Sequence, residues 1–254
     1  MLSDTRRATI LSLLNRKREI SVMELHDKLN ISIATVRRDL SKLEKEGLIK
    51  RTHGGAVLET RSLLDFSYLE REKKFTEKKR LIASKAAELI ESGDRIFLND
   101  GSTMIQIAKK LVQRALPIAA MTNSIKVAEI LLNNPNIEVI VLGGNIREFS
   151  FASSGPLAEM MVESLFATKA IISADAFHPI KGISIQPLGE AILTKKMVAN
   201  SENVIAVGDS SKINTIAAVS VCKWKAVDTF VTDSRDTDFL DAIKRESVVV
   251  PRLV

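Results

Sequence analysis

From residue 81 to the end of the chain, short apolar runs alternate with segments of helical periodicity, and this alternation most constrains the fold. Alternating short strands and helices form a mainly parallel sheet that helices cover on both faces. We therefore predict an α/β domain over residues 81–254, in which ligands bind at the carboxyl ends of the strands. The predicted strands are 95–99, 118–122, 138–142, 170–174, 204–208, 228–232 and 247–250. The predicted helices are 75–91, 104–113, 124–132, 156–165, 190–200 and 236–245.

The first 58 residues carry a different pattern, that of three short helices followed by two short strands. Ser21 and Glu24 have the spacing of a capping box at the start of the second helix. Ser32 can cap the third helix after only a tight turn. Two short helices joined in this way form a helix-turn-helix, which we predict for a small domain over residues 1–58.

The third helix has an outward face with two adjacent arginines. An apolar stripe runs along the opposite face, at Ile33, Val36, Leu40 and Leu43. Arg38 points almost directly away from this stripe, in the half of the helix where recognition helices touch base edges. Arg37 lies on the flank, nearer the buried edge, where it can contact a phosphate or pair with an acid of the preceding helix. The sequence leaves open which arginine does which, and a solvated basic face is the alternative to both roles.

A hairpin and an uneven charge distribution support a DNA-binding role for this domain. Two short strands flank His53-Gly54-Gly55, which predicts a wing, with a peripheral hairpin over the small core as the alternative. Residues 1–58 hold 12 Lys and Arg against 7 Asp and Glu, whereas the other residues hold 25 against 24. Such asymmetry is typical of proteins with a nucleic-acid or membrane partner. The predicted DNA-binding residues are Ser32, Ala34, Thr35, Arg37, Arg38, Lys42, Lys50, Arg51 and His53.

Several classes of protein are not expected from this composition. No apolar run approaches the roughly 18 residues of a membrane span, and the first residues lack a signal-peptide pattern. The single cysteine, Cys222, excludes an internal disulfide. The three histidines, His26, His53 and His178, lack the spacing of metal ligands. We therefore expect a cytoplasmic protein without a membrane contact, a structural metal or a cofactor.

Residues 59–80 connect the two predicted domains. They mix apolar residues with dense charge of both signs and contain neither proline nor glycine, unlike a flexible Gly/Ser linker. This composition favours a partly helical connector that packs on the larger domain or on a second subunit. A solvated linker is the alternative.

Small polar residues follow successive predicted strands of the larger domain. Asp100-Gly101-Ser102-Thr103 and Thr122-Asn123-Ser124 each lead into a helix, where free backbone amides favour phosphate. Lys212 adds a cation suited to a phosphate, and Asp175 and Asp209 can accept hydrogen bonds from sugar hydroxyls. Each motif alone can be a helix cap or a turn, but their recurrence along one sheet edge predicts a pocket for a phosphorylated small molecule. The predicted effector-binding residues are Asp100, Gly101, Ser102, Thr103, Thr122, Asn123, Ser124, Gly143, Gly144, Asp175 and Lys212.

Both domains resemble one protein family. The run "TVRRDLSKLEKEGLIKRTHGGAV" resembles the N-terminal signature of DeoR-type bacterial transcriptional regulators, which implies a winged helix-turn-helix that binds operator DNA. The runs "FLNDGSTM", "MTNS", "LGGNIR", "SGPLAE" and "GDSSK" resemble the motifs of the sensor domain of that family. The resemblance implies a fold like ribose-5-phosphate isomerase and glucosamine-6-phosphate deaminase, and an effector that is a phosphorylated sugar or a related metabolite. It also implies that residues 100–103 form a phosphate loop and that Thr122, Asn123, Asp175 and Lys212 belong to the pocket.

Two segments depart from the pattern of that family. Ser173-Ala174-Asp175-Ala176, followed by Phe177, stands where the family usually has Gly-Ala-Asp-Gly, so side chains are added where a ligand would approach. Thr194 stands where the family commonly has lysine. Glu190 and Lys195 are therefore further candidates for the pocket, with a solvated helix as the alternative.

These observations together predict a DNA-binding transcriptional regulator rather than an enzyme. We expect a repressor of a carbohydrate-metabolism operon, a homodimer or higher homo-oligomer that a phosphorylated sugar releases from double-stranded operator DNA. One alternative is a sugar-phosphate isomerase or deaminase with an appended DNA-binding domain, which needs an acid/base pair such as Asp175 with Asp209 or Glu190. The other is a DNA-binding protein whose sensor domain is silent.

Overall fold

The computed structural model divides the chain into two compact units, Met1–Glu70 and Arg71–Val254. It describes residues 6–7, 9–10, 13–14, 17, 19–45, 49–52, 54–58, 74–114, 116–148, 150–246 and 250–254. His53 and the predicted connector up to residue 73 lie outside the described residues.

The first unit contains the predicted helix-turn-helix. Helical residues between positions 6 and 17 precede strand β1 (Glu19–Ser21), helix α1 (Val22–Leu29), helix α2 (Ile33–Lys45), strand β2 (Ile49–Arg51) and strand β3 (Gly55–Leu58). The Ser21 hydroxyl accepts a hydrogen bond of 3.0 Å from the Glu24 amide, which confirms the predicted helix cap. Helix α1 ends at Asn30, whose φ of 50° is left-handed. The apolar core of this unit includes Ile10, Leu14, Leu25, Val36, Leu40 and Leu43, all at most 1% exposed.

The predicted hairpin is part of a three-stranded antiparallel sheet in the order β1–β3–β2. Strand β1 was not predicted, because three residues are too few to show a pattern. Gly55 permits its approach, since a Cβ atom at that position would lie 2.2 Å from the Ile20 carbonyl oxygen.

The second unit is built on seven parallel strands, which confirms the predicted α/β fold. They are β4 (Arg95–Leu98), β5 (Ile118–Thr122), β6 (Ile137–Val141), β9 (Ala167–Ser173), β12 (Ser201–Val207), β14 (Thr229–Thr232) and β15 (Val250–Leu253). Their order in the sheet is β15–β14–β12–β9–β4–β5–β6. The helices between and beside them are α3 (Thr76–Glu88), α4 (Ser102–Arg114), α5 (Ile125–Leu131), α6 (Pro156–Glu163), α7 (Leu188–Ala199) and α8 (Thr237–Glu246).

Two small antiparallel elements were not predicted. Strands β7 (Asn145–Arg147) and β8 (Ala152–Ser154) form a hairpin after the edge strand β6. Strands β10 (Ala176–His178), β11 (Gly182–Ile185) and β13 (Val219–Cys222) form a second small sheet. Each of these strands has only three or four residues, so its alternation of apolar and polar residues is too short to distinguish it from the neighbouring turns.

Two features are absent from the described ranges. There, the structure contains no helix that is both long and apolar enough to span a bilayer. Nor does that part of the chain bring three or more His, Cys, Asp or Glu side chains together in a way that could hold a metal ion.

Candidate nucleic-acid interface and effector site

Helix α2 presents both of its arginines to solvent. Val36, on the opposite face, is fully buried, whereas Arg37 and Arg38 are exposed. Within the described part of the chain, neither arginine makes a hydrogen bond or an ion pair. Among the described residues, Arg37 is not paired with an acid of the preceding helix, which was one of its two expected roles, and the other role, a phosphate contact, stays a prediction. The helix offers two adjacent guanidinium groups, each able to bond a phosphate or the edge of a guanine.

A buried acid of the same helix, Asp39, is paired with Arg6, and sequence analysis did not single it out. It is only 4% exposed, and its carboxylate takes two hydrogen bonds from Arg6, Nε to Oδ2 at 2.5 Å and Nη2 to Oδ1 at 3.1 Å. This hydrogen-bonded pairing raises the pKa of Arg6. The signal in the sequence was an acid set between the buried positions Val36 and Leu40, because a buried carboxylate needs a cationic partner.

The other predicted DNA-binding residues differ in whether their side chains are exposed to solvent or bonded within the domain. Ala34, Lys42 and Lys50 are exposed. The Ser32 hydroxyl accepts from the Thr35 amide at 3.2 Å and so caps α2. Arg51 is half-buried and donates from Nη1 to the Ser41 hydroxyl at 3.1 Å, so its guanidinium is directed toward α2.

In the second unit, a cavity opens where strands β4, β9 and β12 end. Five predicted effector-binding residues line it, and Glu190 joins them. The lining residues are Asn99, Asp100, Gly101, Ser102, Ser173, Ala174, Asp175, Ile185, Glu190 and Lys212. The expected convergence of polar strand ends is therefore present on this part of the sheet edge.

Asn99 and Ser173 hold the loop after β4 in shape. The Asn99 side chain donates to the Ser173 carbonyl at 2.9 Å and accepts from the Ser173 amide at 2.9 Å. The Ser173 hydroxyl donates to the Asp100 carbonyl at 2.8 Å. Gly101 has a φ of +127°, and a Cβ atom there would lie 2.7 Å from the Ser173 hydroxyl. Sequence analysis did not single out Asn99 as a site residue. Its signal was an asparagine that ends a predicted apolar strand.

The charged residues of the cavity are held by defined partners. The Lys212 ammonium donates to the Ala174 carbonyl at 2.6 Å, and Asp175 accepts from the Gln186 amide at 2.8 Å. Glu190 is 6% exposed and accepts from the Arg147 guanidinium at 3.1 Å and from the Ser150 hydroxyl at 2.6 Å. Lys195, by contrast, is exposed and does not line the cavity. Asp209 is buried and accepts from the Ser211 amide at 3.0 Å, so it shapes its own turn.

The remaining predicted residues lie outside the cavity and support other parts of the fold. Thr122 accepts from the Ser124 amide at 3.1 Å, and the Ser124 hydroxyl caps α5. Asn123 donates to the Ser153 carbonyl on β8 at 3.0 Å. Their role in effector binding stays a prediction, as does that of Thr103, Gly143 and Gly144. Thr103 Oγ1 and Asn123 Oδ1 are buried without a hydrogen-bond partner among the described residues.

The departures from the family pattern divide into two groups. Ser173 lines the cavity, whereas Ala176 and Phe177 are buried and do not line it. Phe177 packs against Phe230 with ring centroids 5.0 Å apart. The expectation that Ala176 and Phe177 add side chains at the ligand therefore stays a prediction, and the cavity gives it no support.

Comparison with known proteins identifies the family. The model of the DeoR-like helix-turn-helix domain matches residues 6–62, and that of the DeoR C terminal sensor domain matches residues 74–234. The HTH-type transcriptional regulator YulB of Bacillus subtilis (strain 168) is 36% identical over 92% of this chain and 90% of its own. The lactose phosphotransferase system repressor of Lactococcus lactis subsp. lactis is 33% identical over 89% of both chains. Among solved structures, ribose 5-phosphate isomerase A of Neisseria gonorrhoeae is similar over 53% of this chain and 52% of its own, with 22% identity and a TM-score of 0.41.

The chain belongs to the DeoR family of helix-turn-helix transcriptional regulators. This confirms the predicted family and the predicted class of DNA-binding regulator with a C-terminal sensor domain.

Proposed function

We propose that the protein represses a carbohydrate-metabolism operon and that a phosphorylated sugar, bound in the cavity at the sheet edge, releases it from its operator. The observation that carries this proposal is the cavity itself. Gly101 precedes the first residue of α4, and Lys212 contributes a cation to the lining of the same cavity. Backbone amides at a helix start and an ammonium group are the partners that phosphate prefers, and carboxylates suit sugar hydroxyls.

The family relatives support the carbohydrate part of the proposal. One relative that matches along nearly its whole length is named a lactose phosphotransferase system repressor. Because helix-turn-helix proteins bind two half-sites by two-fold symmetry, we propose that this chain acts as a homodimer or a higher homo-oligomer. The effector must bind the DNA-incompetent state more tightly, since equal affinity for both states shifts no equilibrium.

The proposal is tested by fluorescence anisotropy of the purified protein on DNA from the region upstream of its own gene. We expect tight, salt-dependent binding that one member of a panel of sugar phosphates abolishes. Arg38→Ala should weaken binding by about 1–3 kcal/mol if Arg38 contacts a base. Tight binding that no sugar phosphate disturbs would contradict the proposed effector class, and an absence of specific binding would contradict the operator function.

We also propose that the cavity binds its ligand without turnover. The acid/base pair suggested by the sequence does not assemble in full, because Asp209 is buried in its own turn. Asp175 and Glu190 both line the cavity, but each carboxylate already accepts hydrogen bonds. Conversion of any aldose phosphate to the ketose by the purified protein would contradict this part of the proposal.

A further inference from the structure

Glu190 and Arg147 form an ion pair at the wall of the cavity. The Glu190 side chain is 7% exposed, whereas that of Arg147 is 39% exposed. Arg147 belongs to β7, in the hairpin that follows the edge strand, and its guanidinium contacts the cavity-lining Glu190 although Arg147 itself does not line the cavity. A buried carboxylate is costly unless it is paired, and the arginine is what neutralises Glu190.

The charges that line the cavity do not suit a phosphate without a second cation. Three acidic residues, Asp100, Asp175 and Glu190, line the cavity together with one lysine, Lys212. A phosphate monoester with close to two negative charges would be repelled by this arrangement in a partly enclosed site. A guanidinium bonded to one of these carboxylates stands within a few ångströms of the place where the missing charge is needed.

The chemistry of arginine fits this position. Its planar guanidinium has several donors whose geometry matches carboxylate and phosphate alike, so one anion can replace the other without a change of donor. Glu190 would not be left without partners, because the Ser150 hydroxyl donates to it at 2.6 Å. A hydroxyl of a bound sugar can donate to the same carboxylate.

We propose that Arg147 is an effector-binding residue, and that Glu190 holds its guanidinium in the unliganded protein until the phosphate of the effector takes that place. The proposal rests on the function proposed above and assigns a second cation to the same site. Ligand binding then breaks one of two ties between the β7–β8 hairpin and α7, because the hydrogen bond from Ser150, which lies in the same hairpin, remains.

The test is isothermal titration calorimetry of the full-length protein with inorganic phosphate and with the panel of sugar phosphates. Arg147→Met should weaken phosphate binding about 10- to 100-fold, as expected for the loss of charge-assisted hydrogen bonds. Glu190→Gln should strengthen it, because the competing carboxylate is gone while the side chain keeps its shape. Lys195→Met is the matched control: it removes the same charge from an exposed position on α7 and should leave affinity nearly unchanged.

Two results would overturn the assignment. One is phosphate affinity in Arg147→Met equal to that of the wild type. The other is a loss in Glu190→Gln as large as that in Arg147→Met, which would mean that the pair only supports the cavity wall. If Arg147→Met does not fold, Arg147→Lys keeps the charge but not the planar donors, and should bind phosphate more weakly than the wild type; unchanged affinity contradicts the proposal. A wild-type protein that binds neither inorganic phosphate nor any sugar phosphate would defeat the proposed effector class as well.

Discussion

The two halves of the carboxyl edge of the sheet use the same small polar residues for different purposes. Where β4, β9 and β12 end, residues such as Asp100 and Asp175 face a cavity. Where β5 and β6 end, Asn123 and Gly144 lie under the β7–β8 hairpin and hold it. What covers a strand end therefore decides whether a polar residue there is available to a ligand.

Two asparagines show this difference most directly. Asn99 and Asn123 each follow a neighbouring strand, each is 1% exposed, and each donates to a backbone carbonyl, at 2.9 and 3.0 Å. The partner of Asn99 is Ser173, on the next strand of the main sheet, whereas the partner of Asn123 is Ser153, in the hairpin. The hydrogen bond of Asn99 therefore shapes the wall of the cavity, whereas that of Asn123 holds the hairpin at the ends of β5 and β6.

The largest effect on stability is expected from replacing one glycine in each half of the sheet edge, Gly144 under the hairpin and Gly101 at the cavity. Gly144 has a φ of +125°, and a Cβ atom there would lie 2.6 Å from the Ser154 carbonyl oxygen, which belongs to the backbone and cannot rotate away. Gly144→Ala should therefore lower the free energy of unfolding by about 2–4 kcal/mol. At Gly101 the clashing atom is the Ser173 hydroxyl, which can rotate, so Gly101→Ala should cost less stability and change effector affinity instead.

Urea unfolding of the variants measures this difference. Gly93 is the matched control, because its φ is +88° but a Cβ atom there would meet nothing within 4 Å. Gly93→Ala thus reports the backbone strain alone, about 1–2 kcal/mol. An equal loss in Gly93→Ala and Gly144→Ala would contradict the close contact under the hairpin.

A smaller effect is expected from the two asparagines. Asn99→Ala removes two buried hydrogen bonds to the Ser173 backbone, and Asn123→Ala removes one to the Ser153 carbonyl. Each substitution should lower the free energy of unfolding by about 1–2 kcal/mol, with the larger loss in Asn99→Ala. Only Asn99→Ala should also weaken the response of the DNA complex to the effector, measured by anisotropy at matched protein stability. A loss of effector response in Asn123→Ala alone would mean that the ligand reaches under the hairpin, as the sequence motifs first suggested.

The fold was predictable because its signals are local. Seven apolar runs separated by helical segments give the parallel sheet, and the spacing of Ser21 and Glu24 gives the start of α1. The small strands were not predictable, since three or four residues carry no period of their own. The exposure of Arg37 and the pairing of Asp39 with Arg6 depend on contacts between helices that helical periodicity does not encode.

The candidate site was predictable only as a sheet edge. The positions of the predicted strand ends indicated which residues share that edge. The hairpin that covers half of the edge is formed by residues 145–154, which lie outside the predicted strands. Arg147 was likewise visible only as one letter of a motif, because its partner, Glu190, lies 43 residues further along the chain.

The smallest effect on stability is expected at the contact between α3 and the part of the sheet edge that carries the cavity. Lys78 on that helix donates to the Asp233 carboxylate at 2.8 Å and to the Ser210 hydroxyl at 2.7 Å, two residues before the cavity-lining Lys212. Burial by itself raises the pKa of Asp233, but the hydrogen bonds from Lys78 and Ser210 outweigh it, so the pKa lies below its ordinary value. A carboxyl group with a lowered pKa in the folded state adds stability that is present above its unfolded pKa of about 3.9 and is lost as the pH falls through the folded pKa.

Asp233→Asn should therefore lower the free energy of unfolding by about 0.5–1 kcal/mol at pH 7, because the Lys78 side chain is 41% exposed and water screens the pair. The difference from the wild type should shrink as urea unfolding is repeated at pH values from 5 down to 3. Asp241→Asn removes the same charge from a solvent-exposed contact with Lys244 and should change little at any pH. A difference between Asp233→Asn and the wild type that stays constant in acid would show that the contact between α3 and the turn at Ser210 acts through packing and not through charge.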